Sequence, residues 1–198
     1  MGFHFLLIAL KDSKEKDPIA LLRSVGYSDA QKINDIQNKS LSPLGGSNYV
    51  HVGESAGWTL IWGDLFPPLS FYDTLNADEF MRYKDFEFLS NGFEKVSANS
   101  KLLACVVEST SGSYGYDWYV DGNLVRRYWE NEGAPYKQYG ELLPGESEIL
   151  SILQKDETAI LLLVEKLVMP IDDIEALTYD TLKIVWPEAK KKSKFKLW

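Results

Sequence analysis

The sequence predicts an α+β protein: a mainly antiparallel sheet with helices packed on one face, a single domain over residues 1–188, and a lysine-rich tail at 189–198. Three observations carry this. From Leu102 to Gly133, three apolar and aromatic runs are separated by Ser111-Gly112 and Asp121-Gly122. Asp-Gly supplies the positive φ angles of a tight hairpin, and β-branched or aromatic flanks suit a pleated, half-buried surface. Strand-like and helix-like segments come in runs rather than in strict alternation, which separates α+β from α/β chains. Finally, 198 residues with 45% hydrophobic composition can bury one substantial core, and no internal repeat or composition break marks a second domain.

The elements follow in order. GFHFLLIAL reads as a first strand; it has no preceding basic residue and no small-residue cleavage site, so it does not read as a signal peptide. Asp17-Pro18 before IALLRSV, with Gly26 beyond, predicts a short helix. Ser28 and Gln31 form a capping-box pattern and predict a second short helix through Ile33 and Ile36. KSLSPLGGSN is a loop, YVHV and WTLIWG flank GESAG as a hairpin, and Pro67-Pro68 closes it. Asn76 and Glu79 cap a helix running to about Ser90, with Phe80, Met81, Tyr83, Phe88 and Leu89 available for its apolar face and Gly92 as its stop. After the meander, ESEILSILQ reads as helix. Asp156 caps another in which Ile160, Leu163, Val164 and Leu167 recur at helical spacing, and its run AILLLV predicts a central position. Pro170 ends it, Asp172 to Leu177 form a short turn, and TLKIVW is the last strand.

The net charge is −8, but residues 189–198 carry five lysines and no acid, so residues 1–188 sum to −13. Ten carboxylates face two lysines between Glu141 and Asp180. A field of that sign repels nucleic acid and steers a basic partner toward the body. The tail, with Phe195 and Trp198, is the one segment suited to RNA, DNA or an anionic membrane. No apolar run reaches the length of a membrane span, so a cytoplasmic location is expected. Cys105 has no partner in the chain and lies in the apolar run LLACVV, where it reads as a small buried hydrophobe.

Gly53-Glu54-Ser55-Ala56-Gly57 matches G-x-S-x-G and resembles the nucleophile elbow of carboxylesterases in the α/β-hydrolase family. The elbow is a strand-to-helix turn, and its acid and histidine follow the serine in the chain. Here both histidines, His4 and His51, precede Ser55, and WTLIWG favours a strand where the elbow needs a helix. The motif is therefore read as a glycine-flanked turn, and the chain as a non-enzyme. Two histidines and one cysteine do not make a typical zinc site. Asp172, Asp173 and Glu175 lack calcium-loop spacing and read as a solvated face. No cofactor is implied.

Within the meander, a two-residue Asp121-Gly122 turn places Asp117 opposite Arg126 and Trp118 opposite Val125, with Arg127 on the other face beside Trp118 and Tyr116. Eight aromatics occupy residues 114–139 and cannot share one face, because strand neighbours point to opposite sides. Either both faces of the sheet are covered, or some of Tyr119, Tyr128, Trp129, Tyr136 and Tyr139 stay exposed beside Arg126 as a protein-binding surface. Gly122, Leu124, Val125 and Arg126, followed by Gly140, Leu143 and Pro144, resemble a group of uncharacterised bacterial proteins with a Gly-x-Leu-Val-Arg hairpin and a Gly-x-x-Leu-Pro segment. That resemblance implies a bacterial intracellular protein and carries no activity. Small acidic α+β proteins with similar hairpins also occur among toxin-immunity proteins.

Three functions are consistent with these features. The first is a non-catalytic protein-binding module, of the immunity type, that masks a basic partner. The second is a small enzyme using carboxylates with or without Mg²⁺, and the third is an RNA- or membrane-associated factor acting through the tail.

Overall fold

The computed structural model describes residues 4–24, 29–38, 49–63, 87–108, 112–131, 134–152 and 157–185. Nine strands form one sheet: β1 (His4–Lys11), β2 (Asp29–Asn38), β3 (Tyr49–Ser55), β4 (Trp58–Gly63), β5 (Lys101–Glu108), β6 (Ser113–Val120), β7 (Asn123–Asn131), β8 (Ala134–Tyr139) and β9 (Tyr179–Val185). Their order is β2-β9-β3-β4-β1-β5-β6-β7-β8, and each neighbouring pair is antiparallel. The helices are α1 (Pro18–Ser24), α2 (Glu87–Val96), α3 (Glu146–Ile152), α4 (Glu157–Leu167) and α5 (Ile171–Ala176). The α+β class and the antiparallel sheet are as predicted.

The helices do not lie on one face, as expected, but on both. Strand neighbours point to opposite sides, so β1, at the centre of the order, sends Leu6, Ile8 and Leu10 into one core and Leu7 and Ala9 into the other. β5 does the same with Leu102, Ala104 and Val106 against Leu103, Cys105 and Val107. The first core is closed by Leu21 and Leu22 of α1 and Phe93 of α2, the second by Ile160, Leu163 and Val164 of α4 and Ile174 of α5. Unbroken apolar runs such as LLIAL and LLACVV mark strands with no solvated side. Burial pushes the Cys105 thiol up to about 12, which keeps it protonated and inert. α4 is an outer layer rather than a central helix, with Leu162 partly exposed on its far side.

Local signals that held have visible causes. Asp17 Oδ1 accepts from the Ile19 N–H at 3.0 Å, capping α1. Asp121 and Gly122 have φ of 51° and 79°, and Ala56 and Gly57 have 49° and 78°, the positive pairs of two-residue hairpins.

Three expectations give way. The segment from Gln31 through Ile36 belongs to β2, not to a helix: pairing with β9 on either side, at Asp29 to Lys32 and at Gln37 and Asn38, holds it extended and overrides a local capping pattern. Gly92 does not stop its helix, which runs on to Val96 because Phe93 docks edge-on against Tyr119 at 5.9 Å; one interior glycine costs only about 1 kcal/mol. Ser97 ends it, donating to the Phe93 carbonyl at 2.6 Å. β8 was not anticipated, its proline and polar residues giving little strand signal. The KSLSPLGGSN loop, Pro67-Pro68, the Asn76–Glu79 cap, Phe80, Met81, Tyr83 and the lysine tail lie outside the described residues.

Three irregularities interrupt the ladder. β2 slips against β9 between Lys32 and Gln37. In β8, Trp129 pairs with Lys137 but Glu130 with Pro135, so Tyr136 is unopposed. In β7, Tyr119 pairs with Leu124 but Trp118 with Arg126, which leaves Val125 as an extra residue.

Gly115 is opposite Trp129, and a Cβ on it would fall onto the indole ring and 2.8 Å from the Tyr128 carbonyl oxygen. Gly115→Ala should therefore destabilise the protein by about 1–3 kcal/mol through overpacking. A denaturant melt checks this; an unchanged midpoint would show that Trp129 moves freely.

Candidate functional site

The extra residue in β7 resets the arginines. Asp117 faces Arg127, not Arg126, and Arg126 faces Trp118, so the charge pair predicted from a regular two-residue hairpin is shifted by one position. Arg127 donates from Nε and Nη2 to the two oxygens of Asp117 at 2.7 and 2.6 Å, and Trp129 Nε1 donates to the same carboxylate at 3.0 Å. Arg126 thereby enters the opposite face, beneath α3.

There Arg126 meets Glu146, the first residue of α3, whose side chain is completely buried. Nε donates to Oε1 and Oε2 at 2.9 and 3.1 Å, and Nη2 to Oε1 at 2.5 Å. Nη1 donates to the carbonyls of Tyr139 and Gly140 at 3.1 and 3.2 Å, while Glu146 Oε2 accepts from the Leu143 N–H at 2.7 Å. One guanidinium thus joins β7, the end of β8 and the start of α3. Burial by itself lowers the pKa of Arg126, but its hydrogen bonds to Glu146 and the nearby Tyr116 phenol outweigh that and raise it. Burial, then Glu146, pushes the Tyr116 phenol up. Its oxygen has no partner of ordinary hydrogen-bond geometry among the described residues, though it lies near enough for both charges to act on its proton. In the same row Tyr128 donates to Glu130 Oε2 at 2.5 Å; burial and then Glu130 raise the Tyr128 pKa.

Of the proposed binding surface, Tyr119, Arg126, Tyr128 and Trp129 are buried, each at 3% exposure or less. The expectation that they stand exposed fails because helices cover both faces of the sheet. The backbone of Tyr136 is in β8, and its side chain lies outside the described residues. Tyr139 is 58% exposed. It adjoins a corner that sequence reasoning missed, where Gly140 passes against the Val125 carbonyl and Leu142 follows at 55% exposure. The signal that could have found it is Leu142, an apolar residue in a segment of turn composition.

Beyond this corner the outer surface of the second helical layer is acidic. Glu141, Glu148, Glu165, Asp172, Asp173 and Glu175 are all exposed, whereas Glu146 is buried and neutralised by Arg126. Among the described residues no group of three or more His, Cys, Asp or Glu is placed to hold a metal ion.

GESAG runs strand, turn, strand, with Ser55 at the end of β3 and Ala56-Gly57 as the turn. His51 lies four residues before Ser55 on the same strand, about 13 Å away. Its Nδ1 is 2.9 Å from Thr181 Oγ1, inside the core beside Trp62 and Tyr179. The other face of this hairpin borders a cleft of about 280 Å³ with Glu15, Glu54 and Asp180 on its rim, where Glu54 pairs with Lys16 at 2.9 Å.

The geometry defines an α+β protein with a doubly covered antiparallel sheet, a buried arginine–carboxylate anchor and an acidic helical face. No family model, curated protein or solved structure matches the chain. No helix among the described residues is long and apolar enough to cross a membrane.

Removing one partner of the buried pair strands the other charge. Glu146→Ala should cost about 3–5 kcal/mol, and Arg126→Met added to it should cost little more, because both charges are then gone. A urea double-mutant cycle measures the coupling; additive losses would show that the two side chains act independently. A second outcome concerns pH. Burial holds the His51 pKa below its usual 6.5, so the unfolded chain takes up the proton more readily. The associated stability is complete above pH 6.5 and is lost as the pH falls through the folded-state value. Urea midpoints should decline as the pH falls below 6.5, with a shallower slope in His51→Gln; parallel slopes would contradict it.

Proposed function

We propose that this protein is a non-catalytic binding module that engages a basic protein, as an immunity-type protein masks a basic toxin. The observation that carries this reading is the outer face of α3, α4 and α5, where exposed carboxylates accumulate beside an exposed Tyr139 and Leu142. Such a surface combines the two parts of a protein interface. Long-range attraction speeds encounter with a cationic partner, and a tyrosine–leucine corner supplies apolar area for the docked state. The inner ends of these helices are fixed by packing on the sheet, so the acids stand on a preformed scaffold and little ordering opposes association.

The pairing of Glu146 with Arg126 supports the same division of labour. Among the described residues, the one buried carboxylate of the layer is neutralised internally, while the exposed ones remain for a partner. Against the −13 body, a nucleic acid would be repelled.

The test begins with the full chain as bait in extract of its native cell, at low and then moderate salt, followed by kinetics with the basic protein retained. Glu148→Lys, Glu165→Lys and Glu175→Lys together should slow association about tenfold at low salt and flatten its salt dependence. Tyr139→Ala should act on dissociation instead. Unchanged association in the triple variant, or retention of no basic protein, would overturn the reading.

A further inference from the structure

One cleft reverses the sign of the surface. It has a volume of about 460 Å³ and is lined by Lys11 and Asp12 at the end of β1, Trp58 at the start of β4, Lys101 at the start of β5, Trp118 and Val120 of β6, and Lys166 and Leu167 of α4, with Asn99, Ser100 and Asp121. Three lysines and two aspartates line it, in a body that carries −13 overall.

The charges are not equally available. Lys11 Nζ donates to the Ala56 carbonyl at 2.8 Å and sits 5.3 Å above the centre of the Trp58 ring. It also shares its position with Asp12: Lys11 Nζ and Asp12 Oδ1 lie 2.9 and 2.8 Å from the point a Cβ on Gly57 would occupy. Lys11 is therefore largely satisfied. Lys101 and Lys166 are exposed, and among the described residues neither forms an ion pair; the Lys166 ammonium lies against Gly145, from which its flexible stem can turn into the cleft. Besides Asn99 and Ser100, the remaining wall is apolar: Trp58 and Trp118 each present only 7% of their surface, with the half-buried Val120 and Leu167 beside them.

We propose that this cleft binds a small aromatic anion, a flat ring bearing a carboxylate or phosphate, with Lys101 and Lys166 meeting the charge and Trp118, Val120 and Leu167 taking the ring. The volume falls in the range of small-molecule sites, about 300–1,000 Å³, and within a mostly polar lining Trp58, Trp118, Val120 and Leu167 form an apolar strip. A ring against indole gains stacking beyond its buried area. An ammonium group in a partly enclosed site is a stronger anchor than one in open water. The acids Asp12 and Asp121 favour ligands of low charge over polyanions, which separates this site from nucleic acid binding. It lies at the C-terminal end of α4, on the border of the proposed protein-binding face, since Lys166 follows Glu165.

The experiment titrates the full chain with phenyl phosphate, benzoate, phenol and inorganic phosphate while indole N–H signals are followed by NMR. Saturable binding of phenyl phosphate or benzoate, tighter than that of phenol and of inorganic phosphate, is expected; the stronger of the two names the preferred head group. Lys101→Gln with Lys166→Gln, both at exposed positions, should weaken it about tenfold. Lys183→Gln, exposed on β9, should leave it unchanged. Absence of saturation, equal affinity in the double variant, or inorganic phosphate binding as tightly as phenyl phosphate would overturn the proposal.

Discussion

One extra residue in β7 governs how the charged interior is organised. Without Val125 as an extra residue, Asp117 would face Arg126, and Arg127 would take the opposite face beside Tyr116. With it, the two arginines exchange faces and each finds a carboxylate. Arg127 joins Asp117 and Trp129 on the α1–α2 side, and Arg126 joins Glu146 on the α3–α5 side. A bulge of this kind re-aims side chains without lengthening a strand's partner. The desolvation penalty of two buried ion pairs is offset only by geometry this complete, with both oxygens of each carboxylate occupied.

The same bulge explains why the middle of the chain behaves as a unit. Arg126 holds the carbonyls of Tyr139 and Gly140, Gly140 passes over Val125, and Glu146 caps the Leu143 amide. Gly122 closes the hairpin that leads into this arrangement, its amide donating to the Ser97 carbonyl at the end of α2. Residues spread over some twenty-five positions are thereby tied to one guanidinium, and β8 and α3 take their places from it.

Much of the fold was legible in the sequence because its signals are local. Asp17-Pro18, Ala56-Gly57 and Asp121-Gly122 act on their own backbone, and the spacing of Ile160, Leu163, Val164 and Leu167 states one helical face. What was not legible depends on distant partners. The strand identity of Gln31 to Ile36 is decided by β9, some 150 residues away, and the register of Arg126 by a bulge that no turn dipeptide announces. The candidate site suffered most, since Tyr119, Tyr128 and Trp129 carry the composition of an interface and the burial of a core. The runs LLIAL and LLACVV already implied a sheet without a wet face. The lysine–tryptophan cleft was beyond sequence reasoning, because Lys11, Lys101 and Lys166 come from three elements brought to one end of the sheet.

The slips in β2 and β8 have a meaning for the molecule in a crowded solution. These are the two outermost strands of the sheet, the places where unpaired N–H and C=O groups could template a strand from another chain. β2 loses its repeat between Lys32 and Gln37, and β8 carries the unopposed Tyr136 next to Pro135, which has no N–H to offer. A sheet whose rim strands are both irregular has a built-in end to its growth, so these nine strands can stay nine when many copies crowd together.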